Sequence, residues 1–363
     1  MIINQTVDTS IDTLGIRCEC DNVTQRDSLF NAIIDFLIER NLVAIRYNKK
    51  RSNKYYQITE LLYGNTKLAS IAKGHYVNDT SFNPDYYYIN ISFYGLKRYN
   101  KTKDKASNLL VKTITAFLNT YNIDFRLTEL DIAMDIKSKI DNIIAMRVSR
   151  SPNVDYYQLG DTDNNGNYIQ DNKGTYYIER YYLNEKEQQA LQLKIQNAKT
   201  EQDKKNLRNN AKQKINKKIK NAISRAYLYD KRLKEIDKFK RDIGFDLTRF
   251  EVKFQQRFFV KNEFSFLSRY KLLKKYVVLQ FEDIEKKEQF IQKYNSAKTS
   301  KRRKEAVEES VSDNSAILLT QRMNKVGEFL REIDTMKFNT KGEFIYTKHE
   351  DYLESRSKFN RKY

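Results

Sequence analysis

Histidine is nearly missing from this chain of 363 residues: His75 and His349 are its whole complement, and they stand far apart. No His-hydrophobe-His metal clamp, no HExxH zinc site and no C2H2 finger can be written with them. Catalysis built on several histidines is excluded. Cysteine is equally scarce. Cys18 and Cys20 alternate along an expected strand and so point the same way, but two thiols make neither a disulfide framework nor a four-ligand zinc site. They read as reduced thiols of a cytoplasmic protein. No run approaches the ~20 apolar residues of a membrane span, and the N-terminal segment lacks the charged and apolar regions of a signal peptide. A soluble protein is expected.

What is abundant is positive charge and aromatic rings. Lys plus Arg outnumber Asp plus Glu by 67 to 47, a net +20 with a pI near 9.5. Such a field favours nucleic acid or an anionic membrane surface over small neutral metabolites. Hydrophobic residues make up 40% of the chain, with 26 Tyr and 20 Phe, enough apolar material for a folded core. The length fits one elaborated domain or two.

Thr13 to Cys20 reads as a strand, and residues 27–40 carry Leu29, Ile33, Ile34, Phe36 and Leu37 at helical spacing. Tyr55 to Leu62 and Lys67 to Ala72 flank the turn Tyr63-Gly64-Asn65, and Tyr86 to Phe93 adds another strand. A second amphipathic helix, residues 106–118, precedes a long strand, residues 125–136. The order β-α-β-β-β-α-β is that of a split βαβ plate. A helical segment is expected at 141–147, strands at 155–159 and 175–183, and a basic helical insert at 184–221, where Lys, Gln, Asn and Ala dominate. Strands resume at 224–229 and 247–259, and a helical pattern follows. The expected architecture is α+β: two related antiparallel-sheet halves, 1–136 and 137–260, with the basic insert inside the second, and a helical C-terminal region, 261–363.

Three stretches can carry chemistry. Leu127 to Asp135 places Glu129, Asp131 and Asp135 on one strand face and Leu130, Ile132 and Met134 on the other. Carboxylates ~7 Å apart repel unless a cation sits between them, and a hard divalent ion takes such oxygen ligands; lysines beside a solvated face would neutralise them equally well. Arg249 to Phe254 projects Arg249, Glu251 and Lys253 together, so Glu251 can join a carboxylate site while Lys253 reaches a phosphate. The same pattern also describes an amphipathic strand with an ordinary ion pair. Ala226 to Lys231 puts Tyr227 and Tyr229 on one face at a strand end, and a tyrosine held beside a polarised phosphate can act as a nucleophile. Asp161-x-Asp163-x-Asn165-Gly166 imitates an EF-hand loop, but Asn172 stands where the bidentate Glu belongs, and it reads as a hairpin loop.

In that order, Leu-Asp-Ile-Ala-Met-Asp (130–135), Thr-Tyr-Tyr-Ile (175–178), Tyr-Leu-Tyr-Asp-Lys (227–231) and Arg-Phe-Glu-Val-Lys-Phe (249–254) resemble the replication initiation factor (Rep_trans) family, which includes rolling-circle initiators and the relaxases of some conjugative elements. Asp12 to Arg17 also looks like the family's opening strand, so the resemblance spans roughly residues 12 to 260. It implies a metal-dependent enzyme that nicks and rejoins DNA at an origin hairpin. A tyrosine would attack the phosphodiester, leaving a 5′-phosphotyrosine and a free 3′-hydroxyl primer. The resemblance further implies one Mg²⁺ or Mn²⁺ on Asp131, Asp135 and Glu251, phosphate contacts from Lys253 and Lys231, and Tyr177 as leading nucleophile with Tyr176 and Tyr229 as alternatives. It implies DNA as partner, together with a host replicative helicase and polymerase and a possible homodimer. Departures from the family are Glu129 where an Arg is common, Ile178-Glu179-Arg180 in place of a Gly-Ser turn, and the insert between the two tyrosine motifs. Lys212, Lys214, Lys217, Lys218 and Lys220 of the insert are the expected DNA-tracking cations. A conjugative relaxase and a noncatalytic DNA-binding regulator are the alternative readings.

Overall fold

The computed structural model describes residues 8–48, 55–76, 86–97, 99–148, 156–158, 176–178, 185–198, 200–220, 224–254, 276–312, 316–318 and 324–346. They form an α+β protein of two compact units, the first holding 8–134 and 324–346 and the second 135–318. Among the described residues no helix is long and apolar enough to cross a membrane.

The first unit opens with β1 (Asp8–Cys20), α1 (Val23–Glu39), β2 (Ala44–Asn48), β3 (Tyr55–Tyr63), β4 (Thr66–Tyr76), β5 (Tyr86–Tyr94), α2 (Lys101–Thr120) and β6 (Phe125–Ile136), whose last two residues belong to the second unit. The strand order is β2-β3-β4-β5-β1-β6, with the pairs from β2 to β1 antiparallel. Alternation explains the sheet: Ile89, Ile91 and Phe93 of β5 are fully buried, while Asn90, Ser92 and Tyr94 of the other face are only partly so. Ile91 lies between Ile16 and Ile71, and Phe93 between Leu14 and Ala69, so apolar rows cross three strands. The two helices cover this apolar face. Asn22 caps α1 by accepting from the Gln25 N–H at 2.9 Å, and Phe30, Ile33, Ile34 and Leu37 form its buried stripe. Asn100 caps α2 in the same way through the Lys103 N–H. The strand β2 is an addition to the expected order; five residues of mixed polarity give no readable period.

The second unit holds β7 (Ile143–Val148), β8 (Tyr156–Gln158), β9 (Tyr176–Ile178), α3 (Glu185–Gln196), α4 (Glu201–Lys220), β10 (Ser224–Asp230), α5 (Lys231–Phe239), β11 (Thr248–Phe254), β12 (Tyr276–Gln280), α6 (Ile284–Ser296), α7 (Ser300–Ser312) and β13 (Ala316–Leu318). Two sets of neighbouring strands result, β11-β10-β9 and β13-β12-β7-β8. The helix expected at 141–147 is instead a 3-10 turn at Ile140–Asn142 followed by β7. Ile143, Ile144, Ala145 and Met146 are all buried, so the strand is apolar on both faces and carries no alternation to read. Ile144 and Met146 join Val277, Leu279, Phe281, Phe290 and Val307 in one core beneath α6 and α7.

The C-terminal region has the expected helices, but also strands, and it divides between the units. Residues 276–318 stay with the second unit, whereas α8 (Asn324–Thr335), β14 (Met336–Phe338) and β15 (Phe344–Tyr346) return to the first. Asn119 of α2 anchors the return by donating through Nδ2 to the carbonyls of Ile333 and Met336, each at 3.0 Å. Lys112 pairs with Glu332 at 2.5 Å, and the Arg40 guanidinium lies 4.3 Å over the Phe338 ring.

Candidate active site

The three motifs from the second half of the resemblance fold onto three neighbouring strands. β10 pairs antiparallel with β11 and with β9, and the registers create two rows on one face. Tyr176, Tyr229 and Arg249 form the first row; Ile178, Tyr227 and Glu251 form the second. Direct partners in a ladder share a face, as do residues two apart, so Lys253 belongs there too. Position 177 falls in the other set of rows, opposite Leu228, which faces Phe250. Leu228 and Phe250 are buried, and the Phe250 ring meets that of Tyr276 at 5.6 Å. One set of rows on these strands is therefore polar, and position 176 is in register with it. The other is core and carries position 177.

On the polar face the side chains are already engaged. The Tyr229 hydroxyl donates to Glu251 Oε2 at 3.0 Å, and Lys234 Nζ lies 4.0 Å above the Tyr229 ring centroid. Tyr229 is 2% exposed. A phosphodiester cannot reach it in this arrangement, so its evident effect is to hold Glu251. Glu251 and Lys253 themselves are half-buried. Arg249, wholly buried, grips Asp135 with two parallel hydrogen bonds, Nε to Oδ1 at 2.6 Å and Nη2 to Oδ2 at 2.9 Å.

The end of β10 turns directly into α5. Asp230 caps the helix by accepting from the Leu233 N–H at 2.9 Å, and burial pushes its carboxyl above the ordinary range. The Lys231 N–H donates to the Leu247 carbonyl at 2.7 Å, tying the helix start to the chain entering β11. Lys231 is 5% exposed, and its ammonium meets Glu235 at 2.7 Å, one helical turn on. Glu235 also receives Arg241 at 2.5 Å, after the chain leaves the helix through Lys240 in a left-handed conformation, φ 52°. Lys231 is thus part of a three-member ion cluster centred on the buried Glu235.

The expected metal ligands fare unevenly. Asp131 is buried in the first unit at 4% exposure, and Asp135 and Glu251 lie in the second. Both Asp135 oxygens are occupied by a cation that cannot be deprotonated. Among the described residues no three His, Cys, Asp or Glu side chains form a group that could hold a metal ion. Glu129, where the family commonly has Arg, packs where Gly15 leaves room: a methyl on Gly15 would come within 2.9 Å of Glu129 Cβ.

Lys212, Lys214, Lys217, Lys218 and Lys220 all fall on α4, which has no acidic residue after Asp203. Helices α3 and α4 pack on each other around a cleft lined by Leu193, Asn197, Leu207 and Asn210. Residues 161–166, the EF-hand imitation, lie outside the described residues.

Sequence reasoning missed the Arg249–Asp135 pair, because nothing in either strand's own pattern says which charges will meet. It also missed Lys234 and Glu235, although the i,i+4 spacing of Lys231 and Glu235 was a readable signal.

No protein-family model matches the chain, and no curated protein matches it. A solved structure titled as the rolling circle replication initiator protein from Geobacillus stearothermophilus aligns with 76% of this chain and 87% of that chain, with a TM-score of 0.33 and 12% identity. A likeness of that size assigns neither fold nor function to this chain.

Proposed function

We propose that the protein initiates rolling-circle replication by nicking and rejoining single-stranded origin DNA through a tyrosine. The observation that carries the reading is the register of β9, β10 and β11. Segments separated by a long insert in sequence are neighbours in the fold, and the register that aligns position 176 with the rows of Tyr229, Glu251 and Lys253 supports this reading. Tyr176 is the nucleophile this register favours over Tyr177, whose row belongs to the core. In the step, the Tyr176 oxygen bonds to phosphorus and the phenolic proton leaves. The bond from phosphorus to the 3′-oxygen breaks, and that oxygen departs with the electron pair and takes up a proton. The products are a 5′-phosphotyrosine and a free 3′-hydroxyl. Lys253 is placed to contact the phosphate, and Tyr229 positions Glu251. The net charge of +20 and the lysines of α4 supply the field that draws DNA. A conjugative relaxase would use the same chemistry on another element.

A second reading is a noncatalytic DNA-binding regulator, and the full engagement of Asp135 by Arg249 favours it. Cleavage of labelled single-stranded oligonucleotides from the cognate element separates the two. With Mn²⁺, Mg²⁺ or EDTA as arms, the initiator reading expects nicked product that is lost in Tyr176→Phe and kept in Tyr177→Phe. Binding without cleavage in every arm supports the regulator.

A further inference from the structure

We infer that the sheet face of the first unit opposite α1 and α2 is a binding platform for single-stranded nucleic acid, centred on Arg17 and Tyr88. It stands on other residues than the strand-transfer reading and does not depend on it.

The platform is built in layers. Gly74 of β4 pairs with Tyr88 of β5, and a methyl on Gly74 would lie 2.1 Å from Tyr88 Cε2, so the ring rests flat on bare backbone. Above the ring lies the Arg17 guanidinium, its carbon 4.1 Å from the centroid. A guanidinium stacked on an aromatic ring is itself a flat surface on which a further ring can stack. What singles out Arg17 is what it lacks. Its Nη2 reaches Asn90 Oδ1 only at 3.5 Å, its Nε is buried without a hydrogen-bond partner, and among the described residues no carboxylate pairs with it. A buried, unsatisfied donor on a cation is the kind of defect that a bound acceptor explains.

Arg126 repeats the feature nearby on the same unit. Its Nη2 donates to the Tyr86 hydroxyl at 2.9 Å and meets Glu19 at 2.5 Å, yet its Nε is also buried without a partner. The Tyr86 ring that Arg126 contacts and the Tyr88 ring beneath Arg17 lie with their centroids 5.4 Å apart, which brings the two arginines to one part of the face. Two cationic groups, each with an unsatisfied donor and with two neighbouring tyrosine rings between them, match an alternation of phosphate and base. The strand must be unpaired, because a base in a duplex has both faces covered.

The test is fluorescence anisotropy of the full chain with labelled oligo-dT and oligo-rU of roughly fifteen nucleotides, a length that covers one sheet-sized site, in EDTA so that no nicking chemistry contributes. Arg17→Gln is expected to weaken binding roughly tenfold, the loss of one stacked base. Arg17→Lys, which keeps the charge and loses the plane, is expected to recover less than half of that loss. Lys293→Gln on α6 removes one charge elsewhere and is expected to change affinity less than twofold. Melting temperatures of the variants control for folding. Equal affinity for both oligomers, or a preference for either, supports the platform and says whether the 2′-hydroxyl is read. It is overturned if a folded Arg17→Gln binds within twofold of wild type, if Arg17→Lys recovers full affinity, or if duplex of the same length responds to the variants as the single strands do.

Discussion

Replacing Asp135 by Asn separates a structural from a ligand role for this carboxylate. In the wild type, Asp135 and Arg249 are both buried and joined by two charge-assisted hydrogen bonds at 2.6 and 2.9 Å. The amide keeps the volume but removes the countercharge and can accept through only one oxygen, leaving a guanidinium that is 0% exposed without compensation. Removing one partner of a buried pair costs about 3–5 kcal/mol. Amide hydrogen exchange of residues 248–254 reads this cost, and exchange should accelerate by roughly two to three and a half orders of magnitude. The double variant Asp135→Leu with Arg249→Met removes both charges and should recover most of the protection. Protection of 248–254 within tenfold of wild type in Asp135→Asn would refute the pair as a structural element. Restoration of that protection by Mn²⁺ would return Asp135 to the ligand set.

Glu235→Gln should destabilise the start of α5, because Lys231 and Arg241 then face each other without a buried anion; exchange of residues 231–239 measures it, with a loss of about 2–4 kcal/mol expected. Gly74→Ala should lower the melting temperature, since the Tyr88 ring at 2.1 Å must move; overpacking of this kind costs about 1–3 kcal/mol. Burial pushes the Cys20 thiol from 9.0 up to about 11 and raises Cys18 still further. The folded state therefore holds these protons more tightly. That contribution is intact below pH 9 and lost as pH rises through 11, so urea stability should fall across this window and fall less in a Cys18→Ala, Cys20→Ala double variant. Both thiols should also react slowly with alkylating reagents at pH 8 in the native protein.

Most of the first unit was legible because its strands are buried on one face only. The period-2 pattern of β5, the helical stripe of α1 and the Gly64 turn, φ 55°, each carry their own signal, although Phe30 joins Ile33, Ile34 and Leu37 in the buried stripe where Leu29 and Phe36 were expected. Strand β7 was not, since burial on both faces erased the alternation. The motif strands of the second unit were legible as strands, but their faces were not. Whether Tyr176 or Tyr177 lies on the polar side follows from the register of β9 on β10, and a slip of one residue exchanges them. Lys231 was named as a phosphate contact by the resemblance alone; the helix that begins there sets its ammonium against Glu235, one turn on. The pairing of Asp135 with Arg249 joins positions 114 apart, and no local pattern announces it.

The most direct test of the proposed strand transfer is to trap the intermediate and map it. The full chain is incubated with labelled single-stranded oligonucleotides of the cognate element, with Mn²⁺ or EDTA, denatured, digested and analysed by peptide mass. A nucleotide adduct on Tyr176 is the predicted result. An adduct on Tyr177 would contradict the register argument, and no adduct on any tyrosine, with an oligonucleotide that the protein binds, would contradict the enzyme reading.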